Sequence, residues 1–135
     1  MDPIRPFSVA SLVSLRAVIL GGYALLRWLV QGGLLSPFQE QFFRAGHAHA
    51  GVLVVLSLVS FLYLERTPFP RAVRWTACGL LAGGILAQSG GCFLHLLVSA
   101  PGQASAGTAL ATIGAVLIAC AVLLLAYGVA TGASS

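Results

Sequence analysis

For twenty residues between Arg44 and Glu65 the chain carries no charge. A helix crosses a bilayer core with about 20 apolar residues, and a spanning segment must satisfy its own backbone. This stretch therefore constrains the fold more than any other. Breakers and charges isolate similar stretches on either side. Ser36-Pro37 lies in a loop read at 32–41, Pro68 and Pro70 cannot continue a helix, and Pro101-Gly102 marks the last connection. The spans expected are 8–31, 42–64, 75–99 and 105–130. With 59% hydrophobic and 7% charged residues, and a mean hydropathy of +0.98, the composition is that of a membrane protein. The expectation is all-α: one integral membrane domain over 1–135, an antiparallel up-down four-helix bundle in the lipid bilayer.

Arginine placement sets the orientation. Arg66, Arg71 and Arg74 crowd the second connection and Arg5 lies on the same side, whereas the connection after Pro101 has none. The positive-inside rule puts both termini in the cytoplasm, in a cell membrane of the bacterial inner-membrane type. Arg16 and Arg27 interrupt the first apolar run, which is therefore read as a retained span rather than a signal peptide. The net charge of +4 comes from arginines that loop topology explains, so no nucleic acid partner is implied.

Within this frame the three histidines stand out, because ionisable residues inside a bilayer are costly and mark functional sites. His47 and His49 lie in Arg44-Ala45-Gly46-His47-Ala48-His49-Ala50-Gly51, and His95 lies six residues before Pro101. Spans two and three run antiparallel, so all three come to similar depths near the outer face. His47 and His49 are about 200° apart around a helix, so only one of them faces a shared site. The small and polar stripe Gly46, Ala50, Ser57 and Ser60 lies nearer His49, which is the expected inward ligand. Cys92 is three residues before His95 and completes a candidate nitrogen and sulfur metal set of His47, His49, His95 and Cys92.

A second pattern occupies span three, where Gly79, Gly83, Ala87, Gly91 and His95 recur every four residues. The stripe reads either as a smooth slot for haem, with Gly91 beside the ring and His95 as axial ligand, or as a helix-packing face. Packing has a counterpart in Gly107, Ala111, Ala115 and Ala119 of span four. Arg5, Arg16 and Arg27 are spaced by eleven. Arg27 and Arg44, near the outer face, are the candidates for pairing with haem propionates, and Arg16 reads as a snorkelling residue.

Other classes lack their residues. Asp2, Glu40 and Glu65 are terminal or interfacial, so no carboxylate relay crosses the spans. No phosphate-binding glycine loop, nucleophile elbow or Glu-containing zinc-protease motif is present, and catalysis by this chain alone is not expected. Met1 is the only methionine, which argues against copper carriage.

The segment around His47 and His49 resembles the haem-ligating helices of haem-copper oxidase and nitric-oxide-reductase-type catalytic subunits. Overall the chain resembles small bacterial four-helix membrane proteins. The resemblance implies haem ligation by His47 or His49 and nothing about oxygen reduction. Two functions follow from these readings. One is a small haem b (or transition-metal) protein for electron transfer or sensing, with the cofactor between spans two and three. The other is a non-catalytic accessory subunit of a larger membrane complex or homo-oligomer, its histidines satisfied by hydrogen bonds. A metal-ion or small-solute channel is third.

Overall fold

In the computed structural model, which describes residues 2–32 and 35–132, four helices account for nearly the whole chain: α1 (Ile4–Gln31), α2 (Pro37–Leu64), α3 (Arg71–Val98) and α4 (Ala106–Gly132). Each is long and apolar enough to cross a membrane. Three helices, α1, α2 and α3, begin four or five residues before the expected boundaries because proline-containing starts resemble breakers. Ser36-Pro37 opens α2: the Ser36 hydroxyl accepts from Gln39 N–H, the Gln39 side chain accepts from Ser36 N–H, and Pro37 supplies a preset φ at a position whose N–H needs no partner. At α1 the Asp2 carboxylate accepts from Ile4 N–H at 3.0 Å, and the helix ends where Gly32 turns to φ +69°.

Successive helices run antiparallel in a defined register. On α1 and α2, Val18 meets Gly51, and the Ser11 and Ser57 hydroxyls are 2.9 Å apart. Ser57 also donates to the Val54 carbonyl, which leaves Ser11 as the donor of that pair. On α2 and α3, Gly46 faces Cys92 and Phe93, and Phe61 shares a buried cluster with Cys78 and Leu81. On α3 and α4, Gly84 opposes Gly114 and Gly91 opposes Gly107. Among the described residues no stretch of α1 backbone comes close to that of α4. The helices thus form a folded row centred on α2 and α3, not a closed ring. Only 6% of the most apolar stretch of α1 is buried, against 39% for α3.

The α3–α4 seam corrects the four-residue stripe. The buried glycines and alanines are Ala77, Gly84 and Gly91 on α3 and Gly107, Gly114 and Ala121 on α4, spaced by seven, and Gly128, seven further on, packs against Phe69 and Thr67 of the connection before α3. Gly79 and Gly83 face open space, and Ala115 and Ala119 are exposed. The reason is helical arithmetic: a four-residue spacing drifts roughly 40° per step, whereas a seven-residue spacing drifts about 20°. Only the latter keeps a line of contact along two long helices. Side-chain loss here lets backbone meet backbone, and a Cβ at Gly114 would sit 2.6 Å from the Gly84 carbonyl oxygen.

Gly114→Ala is therefore expected to destabilise the fold by about 1–3 kcal/mol or more through overpacking. Gly79→Ala meets nothing and should stabilise α3 by about 0.5–1 kcal/mol. Denaturant titration in micelles, followed by circular dichroism, checks both signs. The N-terminus adds a pH-dependent tie. The Ile4 N–H, and then Arg74 at 3.1 Å, hold the Asp2 carboxyl below its ordinary 3.8. A depressed carboxyl pKa contributes stability above the unfolded value, and that contribution is lost as pH falls through the folded value. Asp2→Asn should flatten the stability profile below about pH 4, where the unfolded carboxyl begins to bind protons.

Candidate functional site

The N-terminal half of α2 distributes its side chains over three settings. Gly46 is the pivot, since a Cβ there would lie 3.1 Å from the Cys92 Cβ and 3.2 Å from the Phe93 ring. This close approach turns His47 toward α1, where two adjacent glycines leave bare backbone. A Cβ at Gly22 would lie 2.8 Å from His47 Nε2, and one at Gly21 would lie 3.7 Å from Nδ1. His47 is half-buried there, beside a shallow apolar depression that Gly51, Val52 and Val55 also line. It has no hydrogen-bond partner among the described residues.

His49 is exposed and donates from Nδ1 to the Ala45 carbonyl at 2.7 Å, on its own helix. The expected inward choice is thereby reversed. The polar stripe of α2 does lie at its buried seam, but the slot is opened by Gly21 and Gly22 of the neighbouring helix. A glycine pair inside an apolar span was the available signal, because glycine weakens a helix and is retained where a neighbour comes close.

His95 is only 4% exposed and belongs to a third setting. Its Nδ1 is hydrogen-bonded to Ser105 Oγ at 2.7 Å, and its ring lies against Phe42 and Phe38, with centroids at 4.4 and 5.6 Å. Ser105 Oγ also accepts from Gly107 N–H at 3.1 Å, so one hydroxyl caps the start of α4 and holds the imidazole at the end of α3. Phe38, Phe42 and Ser105 escape a sequence reading because nothing local links them to His95.

The remaining candidates are dispersed. Cys92 is half-buried against α2, and among the described residues no three His, Cys, Asp or Glu side chains are grouped to hold a metal ion. Gly91 is covered by Gly107 and Ala111 and leaves no room for a macrocycle. Arg44 is paired with Glu40 at 2.6 Å one turn away. Arg27 lies on the exposed side of α1 with Tyr23, Trp28 and Gln31, and has no ion-pair partner among the described residues. Arg16 is exposed. The structure brings none of the three histidines together.

A cleft of about 440 Å³ lies elsewhere, between α1 and α3 with α2 as its floor. Its lining is apolar apart from three serines. One of these, Ser89, has a buried hydroxyl without a hydrogen-bond partner.

Comparison of the chain with protein-family models, curated proteins and solved structures returned no match.

The His95–Ser105 pair generates a thermodynamic test. Ser105→Ala leaves a buried imidazole nitrogen unpaired and should cost about 1–3 kcal/mol. His95→Ala should cost at least as much through lost packing on Phe42. The double variant should be less destabilised than the sum of the two, by about 0.5–3 kcal/mol. Unfolding free energies of the four proteins in one detergent close the cycle.

Proposed function

We propose that this chain is an integral membrane subunit, with both termini in the cytoplasm, that acts by packing against a partner membrane protein and carries no redox centre of its own. The observation that carries the reading is the pair Gly79 and Gly83, one turn apart on α3, where a Cβ at either position would meet nothing. Each glycine weakens the helix by roughly 0.5–1 kcal/mol relative to alanine, and α4 accounts for Gly84 and Gly91 only. Small residues four apart are a means by which membrane helices approach closely. A helix from a larger complex, or from a second copy, is the natural occupant.

Other features support the same reading. Arg5, Arg66, Arg71 and Arg74 lie at the end that carries the termini, as expected for a cytoplasmic face. His95 and His49 each have a hydrogen bond within the chain, so neither needs a cofactor to satisfy it.

His47 favours a second reading, because its imidazole lacks a hydrogen bond and borders an apolar depression. Haem b ligation would then use His47 alone from this chain, with the other axial ligand supplied by a second chain.

One preparation tests both. The protein is extracted from native membranes in mild detergent, sized, and examined spectroscopically in oxidised and reduced forms. The expected result is a complex larger than the 13.9 kDa chain, without a Soret band that depends on this subunit. Gly83→Leu should release a folded, isolated chain, since position 83 is open. A Soret band lost in His47→Ala but retained in His95→Ala would replace the packing reading with the haem one.

A further inference from the structure

Arg16 has a setting that the open glycines of α3 do not explain. It is exposed on the least buried of the four helices, and among the described residues it has no hydrogen-bond or ion-pair partner. Phe7 and Leu25 are each nine residues from it, about 180° around the helix. Phe7 packs on the core and Leu25 is buried, so Arg16 points directly away from the bundle.

Its depth follows from the register of α1 against α2. Ser11 meets Ser57 and Val18 meets Gly51, which puts Arg16 level with Val52 and Leu53, inside the charge-free run from Arg44 to Glu65. Along the axis the level of Arg44 is then about 12 Å away and that of Glu65 about 18 Å. Snorkelling serves arginines near helix ends, and a stem that reaches roughly 7 Å does not bring this guanidinium to either interface. Its charge is permanent, and in an inserted chain it faces hydrocarbon. The exposed Leu12, Val13, Ile19 and Leu20 around it suit lipid as well as protein. The guanidinium does not.

Depth also separates the sources of a counter-charge. Phospholipid phosphates lie at the interface, out of reach. A second copy of this chain offers only Asp2, Glu40 and Glu65, which sit at the helix ends, about 18 Å or more from Arg16 along the axis. What remains is a different membrane protein with an acidic side chain near the middle of one of its spans. Ionisable residues within spans pair with one another, and the planar fork of a guanidinium matches a carboxylate.

We propose that the exposed face of α1 docks a transmembrane helix of a different protein, whose mid-span Asp or Glu pairs with Arg16. The inference rests on the reading of the chain as a membrane subunit given above, and adds to it a contact on α1 that does not involve Gly79 or Gly83 of α3.

The test uses the full chain in its native membranes. The photo-crosslinker p-benzoylphenylalanine replaces Leu20, one turn from Arg16 on the same exposed face, and the adduct is sequenced by mass spectrometry. The expected adduct is a span of another protein with an acidic residue near its middle. Arg16→Leu should lower recovery of that protein in mild detergent at least tenfold and leave the chain folded, since Arg16 points away from its own bundle. Arg16→Glu should lower it as far, and exchange of the partner's acidic residue for arginine should restore recovery in Arg16→Glu, a rescue that altered packing would not give. Adducts confined to lipid, to a second copy or to a span without an acidic residue would overturn the proposal, as would full recovery in Arg16→Leu. Gly83→Leu separates the two contacts. A complex kept in Arg16→Leu but lost in Gly83→Leu overturns the Arg16 contact and leaves the α3 reading standing, whereas the reverse pattern supports the Arg16 contact and removes the α3 one.

Discussion

Bare backbone against bare backbone along α3 and α4 sets the spacing on which the rest of the structure depends. Attraction between individual atoms is weak and falls off steeply with distance, so two long helices gain much from contact only if they approach along their whole length. Glycines seven residues apart permit this at Gly107 and Gly114, and the buried Ala77 and Ala121 lie further along the same two helices. The consequences spread from the seam. Gly107 lies so close to the His95 backbone that the start of α4 falls beside the imidazole, and Ser105 bonds to it from there. The ring then fills the space against Phe42, and the beginning of α2 is held to both later helices. Loosening the glycine seam would disturb the cap, the histidine and the aromatic contact together.

The same geometry separates the histidines. Their placement at the same end of the bundle follows from the antiparallel course of the chain, but position along an axis says nothing about direction around it. Gly46 brings α2 close to α3, and His47, one residue later, turns about 100° away to meet α1. His95 is enclosed by side chains from two other helices. Convergence at one end and divergence in azimuth are compatible, and a metal ion or macrocycle responds to both.

Much of the architecture was legible in the sequence, because charge-free stretches and proline-rich connections are local signals. The Arg44 to Glu65 interval marked α2, and the prolines at 68 and 70 marked its end. The helix starts were less legible: Ser36-Pro37 reads as a break until Gln39 is recognised as the third member of a capping box. Rotational choices were not legible. They depend on which glycines face a neighbour, and Gly79, Gly83, Gly84 and Gly91 look alike in one dimension. Two of them meet α4 and two meet nothing. The cleft was hidden for a similar reason, since Ser14 and Ser89 are ordinary residues of apolar helices until three-dimensional packing puts them on opposite walls.

The loose seating of α1 has a mechanical side. Near its first turn it is bound by the Asp2–Arg74 ion pair and by Phe7 against Trp75, and the Ser11–Ser57 bond lies two turns further on. Beyond that point, among the described residues, no side-chain hydrogen bond ties α1 to another helix. There the His47 imidazole fills the slot left by Gly21 and Gly22, Leu25 is buried, and Trp28 packs edge-on against Phe43 of α2 with centroids 5.6 Å apart. A rod tied by polar contacts at one end and seated only by packing contacts at the other is a lever. Small swings of α1 about its first turns would widen or narrow the gap to α3 and leave the glycine seam between α3 and α4 at rest.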